Sequence, residues 1–205
     1  MKYFIKVAHF SVLTLFSFAV GDVDAVAVAV ELGNGKKSGV YLNEIGVGSG
    51  YAWGRLKRDP VNLALYPTFV RIGFNMNSLV GMEGRQSTLQ MVLEPFVNSI
   101  ADPKGGIETG CTIGLRYLHP LSASVDLFTE ASFAPMYLSI KSAEQGDAGY
   151  NFLDQVGSGL QCKISKRTAI YAGYRFRHIS HAGLTDHPNA GINSNAIVAG
   201  FSLFY

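Results

Sequence analysis

The last two segments of the chain alternate between apolar residues and polar or small ones, and this period of two constrains the fold most. In the final segment the apolar row consists of Ile197, Ala199, Phe201, Leu203 and Tyr205. In the segment before it the apolar row consists of Ile170, Ala172, Tyr174 and Phe176. Because successive side chains of a strand point to opposite faces, this alternation predicts two β-strands, each with one face against apolar surroundings.

The composition indicates that those surroundings are a lipid bilayer. Hydrophobic residues make up 48% of the chain and charged residues 16%, with a mean hydropathy of +0.18. After the N-terminus, however, no stretch reaches the ~18 uncharged apolar residues that a spanning helix needs. A closed barrel is the other structure that satisfies its own backbone in lipid. A net charge of +2, with no basic cluster among aromatics, argues against nucleic-acid binding.

The mature chain reads as eight strands separated by turn-forming residues. The predicted ranges are 38–54, 61–76, 86–99, 107–118, 123–139, 149–164, 167–180 and 192–205. Strands of this length favour a transmembrane barrel over a sandwich. The sequence therefore predicts an all-β fold, an eight-stranded antiparallel transmembrane β-barrel.

Charged side chains of the predicted strands are expected in the barrel interior, because a charge on the lipid face costs several kcal/mol near the bilayer midplane. Arg175 and Arg177 alternate with the apolar row of the seventh strand and should therefore face the lumen. We expect acidic residues such as Glu130 and Asp154 to pair with them there. The aromatic residues of the apolar rows should form the girdle at the membrane interface.

The N-terminus has the order of a secretory signal peptide. Lys2 and Lys6 precede the apolar run 7–20, and small residues follow near Ala25 and Ala27. We assign residues 1–27 to a signal peptide and residues 28–205 to the barrel, the alternative being a short anchor helix. The chain ends on Tyr205 with apolar residues at alternate positions before it, which resembles the C-terminal signature of bacterial outer-membrane proteins. Both features predict export to the outer membrane.

The two cysteines are predicted to be free thiols. Cys111 and Cys162 fall on strands separated by a third, roughly 9–10 Å apart and beyond disulfide reach. No Cys/His spacing indicates a metal site, and no cofactor is expected. The glycine-rich run 46–50 is not followed by a helix, so it is interpreted as part of a strand rather than as a phosphate-binding loop.

The apolar row of the seventh strand continues into two residues that can carry chemistry. His178 and Ser180 share parity with Tyr174 and should face outward. The twelve steps from Thr168 to Ser180 cover roughly 40 Å of strand, or about 30 Å of height at a ~40° tilt, against an apolar band of ~25 Å. Both residues should therefore lie at headgroup depth. A histidine there can take the proton of a serine hydroxyl and make it a nucleophile.

A third group is needed to orient the imidazole. On the last strand Asn193 has the parity of Phe201 and lies near the same rim. Its carbonyl oxygen can accept the imidazole N–H, although an amide cannot offset the imidazolium charge. Asp186 and His187, in the preceding loop, remain alternatives for this position.

The run Tyr174-Arg175-Phe176-Arg177-His178-Ile179-Ser180-His181-Ala182-Gly183-Leu184, followed by Pro188-Asn189-Ala190-Gly191-Ile192-Asn193, resembles the lipid A 3-O-deacylase (PagL) family. The family consists of eight-stranded outer-membrane barrels that remove an ester-linked acyl chain from lipid A. The resemblance implies Ser180 as nucleophile and His178 as general base, with backbone N–H groups near Gly183 and the Asn189 amide as oxyanion donors. Two positions depart from the family pattern: His181 stands where an asparagine is usual, and Asn193 stands where a glutamate is.

The sequence thus predicts an outer-membrane serine esterase that acts on lipid A or lipopolysaccharide, without a metal, among membrane lipids. A non-enzymatic structural or adhesive barrel of the same descent is the main alternative. A phospholipase or acyltransferase that uses the same site is a third. Whether two barrels pair as a homodimer stays open on the sequence.

Overall fold

The computed structural model describes residues 39–58 and 61–205, which form nine β-strands. These are β1 (Tyr41–Arg55), β2 (Asn62–Tyr66), β3 (Thr68–Asn75), β4 (Thr88–Asp102), β5 (Gly106–Pro120), β6 (Val125–Leu138), β7 (Gly149–Lys163), β8 (Thr168–Ser180) and β9 (Ile192–Phe204). One short 3-10 helix covers Asn77–Val80. Within the described residues no helix is long and apolar enough to cross a bilayer. The predicted signal peptide, residues 1–27, lies outside the described residues.

The strands close into a ring. All pairings are antiparallel, and β9 pairs with β1 along a ladder that runs from Glu44 opposite Phe204 to Gly54 opposite Ser194. β2 and β3 succeed one another at a single place in the ring, since both lie between β1 and β4. Because β2 and β3 share one position, the nine strands form a ring with eight strand positions. The predicted eight-stranded antiparallel barrel is therefore confirmed.

Pro67 interrupts the second strand position of the ring, the one that β2 and β3 share. The sequence predicted one strand over 61–76, whereas the structure has two, β2 and β3, with Pro67 between them. A proline has no N–H to donate to a ladder. Its carbonyl oxygen is used instead, because it accepts the Gly50 N–H at 3.2 Å and the Ser49 hydroxyl at 2.8 Å. The wall therefore stays continuous across the break.

Three arginines and three glutamates fill the middle of the barrel interior. The shortest ion pair of each arginine joins Arg175 Nε to Glu130 at 2.6 Å, Arg71 Nε to Glu94 at 2.7 Å and Arg116 Nη1 to Glu44 at 3.0 Å. Each guanidinium also lies over an aromatic ring: Arg71 is 4.5 Å from the Tyr171 centroid, Arg116 is 4.3 Å from that of Phe128, and Arg175 is 4.6 Å from that of Phe69. The charges are therefore both paired and packed.

A second interior ion pair lies closer to the end of the barrel at which β8 ends. Arg177 pairs with Glu108, which also accepts a hydrogen bond from Asn98 at 2.8 Å. Arg177 Nη1 donates to the Ser194 hydroxyl at 3.3 Å. The prediction that Arg175 and Arg177 face the lumen is therefore confirmed.

The prediction that Asp154 joins this interior network is wrong. Glu130 does join it, but Asp154 is exposed on the outward row of β7, in phase with the outward residues Phe152 and Val156. Its parity along the strand, rather than its charge, determines the side to which it points.

Two smaller predictions agree with the structure. Cys111 lies on β5 and Cys162 on β7, with β6 between them, and both are free thiols. The glycine run 46–50 lies within β1. A Cβ on Gly48 would overlap the Phe69 ring and the Tyr171 hydroxyl, so glycine at this position lets interior side chains lie against the wall.

We expect the interior network to respond strongly to the loss of one member. Glu44→Gln leaves Arg116 and Arg71 buried with less negative charge beside them, and it should lower the free energy of unfolding by about 3 kcal/mol. A urea titration of the protein in lipid vesicles measures this. The matched control is Lys141→Met, which breaks the exposed Lys141–Asp147 pair and should leave the midpoint unchanged. Equal midpoints for both variants would contradict the expectation.

Candidate active site

The outward row of β8 ends in His178 and Ser180. The row alternates with buried residues such as Arg177 and Ile179, and both His178 and Ser180 are half-buried. β8 ends at Ser180, where the chain enters the 181–191 loop. The two side chains therefore lie at the loop end of the barrel, on its exterior.

Asn193 meets His178 across the β8–β9 ladder. The two residues are paired in the register, and His178 Nδ1 lies 2.6 Å from Asn193 Oδ1. With an amide oxygen as acceptor, Nδ1 carries the proton of the neutral imidazole and Nε2 keeps its lone pair. Of the three third-group alternatives from the sequence, Asn193 is thus the one in contact with His178.

Ser180 and His178 are neighbours on one row without sharing a hydrogen bond. Among the contacts of the described residues none joins the Ser180 hydroxyl to the imidazole. Side chains two residues apart on a strand start from Cβ atoms about 6.6 Å apart and must lean toward each other to meet. Such contacts are often loose before a substrate binds and tighten in its presence.

The 181–191 loop packs over the imidazole through Gly191. A Cβ on this residue would lie 2.5 Å from His178 Cε1 and 3.3 Å from Nε2. Gly191 also has a φ of +74°, a conformation that favours glycine. Both constraints call for glycine at the position where the loop covers His178.

His181 faces into its own loop instead of reaching the Ser180–His178 pair. It is buried, and its Nε2 lies 3.2 Å from the His187 carbonyl and 3.1 Å from the Pro188 carbonyl. Carbonyl oxygens only accept, so Nε2 carries the proton. The other ring nitrogen, Nδ1, is buried without a hydrogen-bond partner. His181 therefore shapes the loop.

Asn189 and Gly183, the predicted oxyanion donors, belong to the same loop. Asn189 Oδ1 accepts the His181 backbone N–H at 3.1 Å. Ala182 (φ +51°) and Gly183 (φ +74°) form a tight turn, closed by the Leu184 N–H to the His181 carbonyl at 3.0 Å. Positive φ at both central residues is typical of a type I′ turn. Asn189 and Gly183 thus stabilise the conformation of the loop, and their role as oxyanion donors stays a prediction.

His187 and Asp186, the two loop residues predicted as alternatives for the third group, make no contact with the His178 imidazole among the described residues. His187 Nε2 is 4.0 Å from Asp147 Oδ2, in the loop between β6 and β7. There the Lys141 ammonium, 2.6 Å away, lowers the pKa of Asp147 by its hydrogen bond and charge. Asp186 is exposed and makes none of the hydrogen bonds or ion pairs found among the described residues.

The structure places two further outward polar residues, Asp154 and Asn195, on the strands that flank β8. Asp154 of β7 is paired in the register with His178, on the side opposite Asn193. Further from the rim, the Tyr174 hydroxyl donates to Asn195 Oδ1 at 2.5 Å. Parity along each strand would have found both, because Asp154 is in phase with Phe152 and Asn195 with Asn193. No group of three or more His, Cys, Asp or Glu side chains placed to hold a metal ion occurs within residues 39–58 and 61–205.

Comparisons with known proteins identify a family and a fold. The sequence model of a family described as lipid A 3-O-deacylase (PagL) matches residues 67–202. Neisserial surface protein A (NspA) matches the structure with a TM-score of 0.59 at 12% identity, over 82% of this chain and 100% of that one. The outer-membrane enzyme PagL matches with a TM-score of 0.51 at 18% identity, over 77% of this chain and 97% of that one. No curated protein sequence matches the chain.

We expect His181 to hold the loop closed. His181→Leu removes the donor to the carbonyls of His187 and Pro188, a loss of about 1 kcal/mol that should raise the open population roughly fivefold. Cleavage of the folded protein by thermolysin at Leu184, which is exposed, measures that population. Thr185→Ala is the matched control, because Thr185 is an exposed residue of the same loop. Equal cleavage rates for His181→Leu and the unmodified protein would refute a loop-holding role.

Proposed function

The chain belongs to the lipid A 3-O-deacylase (PagL) family, and from that premise we propose that it is an outer-membrane serine esterase that removes an ester-linked acyl chain from lipid A. The observation that carries the proposal is the 2.6 Å contact of His178 with Asn193 on the outward face, with Ser180 next in the same row. A serine beside a histidine whose other ring nitrogen is held by an acceptor supports acyl transfer, and the outward location gives the site access to membrane lipids.

The location of the site favours a lipid substrate. The outward rows beside it present apolar side chains, among them Phe176 and Ile197, to the bilayer. The acyl chains of lipid A can lie against this wall. Their ester bonds, near the headgroups, then come to the height of Ser180 at the end of β8.

The chemistry follows that of other serine esterases. Ser180 Oγ attacks the ester carbonyl carbon while His178 Nε2 takes the hydroxyl proton, and the carbonyl oxygen becomes an oxyanion. The imidazolium then gives this proton to the departing sugar oxygen as its bond to the acyl carbon breaks. Water, deprotonated by His178, cleaves the acyl-serine and releases the fatty acid. Asn193 holds the imidazole through Nδ1 during both steps.

Oxyanion stabilisation is assigned to the turn that follows Ser180. The Gly183 N–H and the Asn189 amide are the proposed donors, as the family resemblance implies. The Asn189 side chain is anchored by its oxygen on the His181 N–H, which leaves its NH2 group to donate.

The second candidate function is a non-enzymatic surface barrel. It is favoured by the absence of a Ser180–His178 hydrogen bond among the described contacts and by the uncharged Asn193. A fluorophosphonate probe separates the two, because only a serine activated by a base reacts with it. Labelling of the folded barrel at Ser180 supports the esterase, and no labelling supports the surface protein.

Replacing the proposed nucleophile should abolish the activity. We expect Ser180→Ala to lower release of hydroxy fatty acid from lipopolysaccharide by at least ~10³-fold, since nothing remains to form the acyl intermediate. Mass spectrometry of the released fatty acid measures this. Ser99→Ala, which alters an outward serine on the remote strand β4, should retain full release. Equal release by Ser180→Ala, or none by the folded unmodified protein, would rule out the proposal.

Replacing the third group should slow turnover without weakening binding. Asn193→Leu removes the acceptor of the His178 Nδ1 proton, so the ring loses its orientation. We expect kcat to fall roughly 10- to 100-fold while KM changes little. Asn195→Leu serves as the control, because Asn195 lies two residues further along the same row and contacts Tyr174 rather than His178. A kcat unaffected by Asn193→Leu would show that the contact with His178 has no catalytic role.

A further inference from the structure

Arg55 is a cation on the lipid-facing side of the barrel, at the end of a strand. It continues the outward row of β1, in which Tyr51 and Trp53 alternate with the buried Ala52. The outward rows of the nine described strands contain no second Lys or Arg, and the arginines of β3, β5 and β8 all face the interior. Near the membrane interface an outward cation costs little stability. Among the described strands, β1 alone therefore presents a positive charge to the lipid.

The register places Arg55 two strands away from the proposed base. One step beyond the last pair of the β1–β9 ladder, Gly54 with Ser194, Arg55 stands opposite Asn193. Asn193 is in turn paired with His178 across the β8–β9 ladder. Since neighbouring strands lie about 4.8 Å apart, the backbones of Arg55 and His178 are roughly 10 Å apart. A side chain as long as that of arginine spans much of this distance.

The outward neighbours of Arg55 are uncharged amides or a further cation. Asn193 of β9 stands on one side of it, and Asn62, its partner on β2, stands on the other. Its side chain is exposed and makes no hydrogen bond or ion pair with another described residue. Lys57, exposed and in the same phase just past the end of β1, adds a second positive charge. Two cations beside an amide that can donate form a surface that favours an anion.

Toward the middle of β1 the same wall is aromatic and apolar. The rings of Tyr51 and Trp53 stack with centroids 6.0 Å apart, and the ring of Tyr66 on β2 lies 5.7 Å from that of Tyr51. Across the β1–β9 ladder Tyr51 is paired with Ile197. An acyl chain can lie against these side chains while an anionic headgroup stays at the strand end. This combination fits a lipid that carries a phosphate close to its acyl chains.

We propose that Arg55, with Lys57 and Asn62, binds a phosphate of the lipid headgroup and so brings the neighbouring ester to Ser180. The planar guanidinium donates two parallel N–H groups to phosphate oxygens, which fixes the orientation of the phosphate. Lipid A carries its phosphates and its ester-linked acyl chains on the same sugars, so a phosphate held at Arg55 limits which ester reaches the serine. The proposal rests on the esterase function proposed above and deepens it: Arg55 is a substrate-binding residue that takes no part in proton transfer.

The kinetic test compares lipid A that carries both phosphates with lipid A from which the phosphates have been removed. Arg55→Gln should raise KM for the phosphorylated lipid about tenfold and leave kcat nearly unchanged, because the lost interaction is equally strong in the ground state and the transition state. On the dephosphorylated lipid the KM of Arg55→Gln should equal that of the unmodified protein. An unchanged KM for the phosphorylated lipid, or the same rise for both lipids, would overturn the proposal.

Two further variants separate a specific phosphate contact from the general charge of the rim. Lys104→Gln is the matched control, because it removes one positive charge from the exposed turn between β4 and β5, at the same end of the barrel, and should leave KM unchanged. Arg55→Lys keeps the charge without the planar fork, so its KM should rise only about threefold. An equal rise in KM for Lys104→Gln and Arg55→Gln would assign the effect to general attraction of an anionic lipid and reject the site.

Binding without turnover keeps this proposal distinct from the esterase proposal. Ser180→Ala in detergent micelles is titrated with each lipid, and binding is followed by the fluorescence of Trp53, the single tryptophan of the chain and the neighbour of Arg55 in its row. The phosphorylated lipid should bind about tenfold more tightly than the dephosphorylated one, and adding Arg55→Gln should remove the difference. Equal affinities for the two lipids would overturn the proposal, whether or not the unmodified protein releases fatty acid.

Inorganic phosphate distinguishes a lipid phosphate from a free one. At a concentration equal to that of the phosphorylated lipid, inorganic phosphate should leave the binding curve of Ser180→Ala unchanged, because it lacks the acyl chains that lie against the aromatic wall. Displacement of the lipid under these conditions would show that the strand end binds free phosphate and would reject the assignment to a lipid headgroup.

Discussion

Closure of β1 onto β9 is the constraint on which the rest of the structure depends. In hydrocarbon no water can satisfy an open strand edge, so every ladder must find a partner within the protein. The continuous β1–β9 register provides the final one. Closure also fixes which face of each strand is inside. The same alternation then sends the arginines and glutamates to the interior and the imidazole of His178 to the exterior, at opposite sides of one thin wall.

Much of the fold could be predicted from the sequence because alternation and turn residues are local signals. The turn residues place the strands, the order of the strands separates the two cysteines, and parity along the strand turns Arg175 and Arg177 inward. The break at Pro67 follows from one missing N–H, but the apolar residues on either side have the pattern of one continuous strand. The charge of Asp154 predicts an inward side chain, whereas its parity along β7 predicts an outward one. Parity alone places it beside His178.

The site was only partly predictable, because it combines strand residues with loop residues. His178 and Asn193 lie on neighbouring strands, so their contact follows from the register near the rim. The conformation of the 181–191 loop does not follow from any period. It depends on three hydrogen bonds within the loop, made by His181 and Asn189, and on a positive φ at Gly191 that lets the backbone lie on the imidazole. The sequence predicted roles for His181, Gly183 and Asn189 but not what these residues contact.

The outward location of His178, Ser180 and Asn193 changes how any ligand reaches them. The interior of the barrel is filled by paired charges, and the lipid substrate proposed above would approach along the outer wall, within the leaflet. A molecule confined there searches in two dimensions, and encounter depends on its number per unit area of membrane rather than on its concentration in the surrounding water. Dilution of the medium then leaves the occupancy of this face unchanged, whereas a change in lipid composition alters it directly.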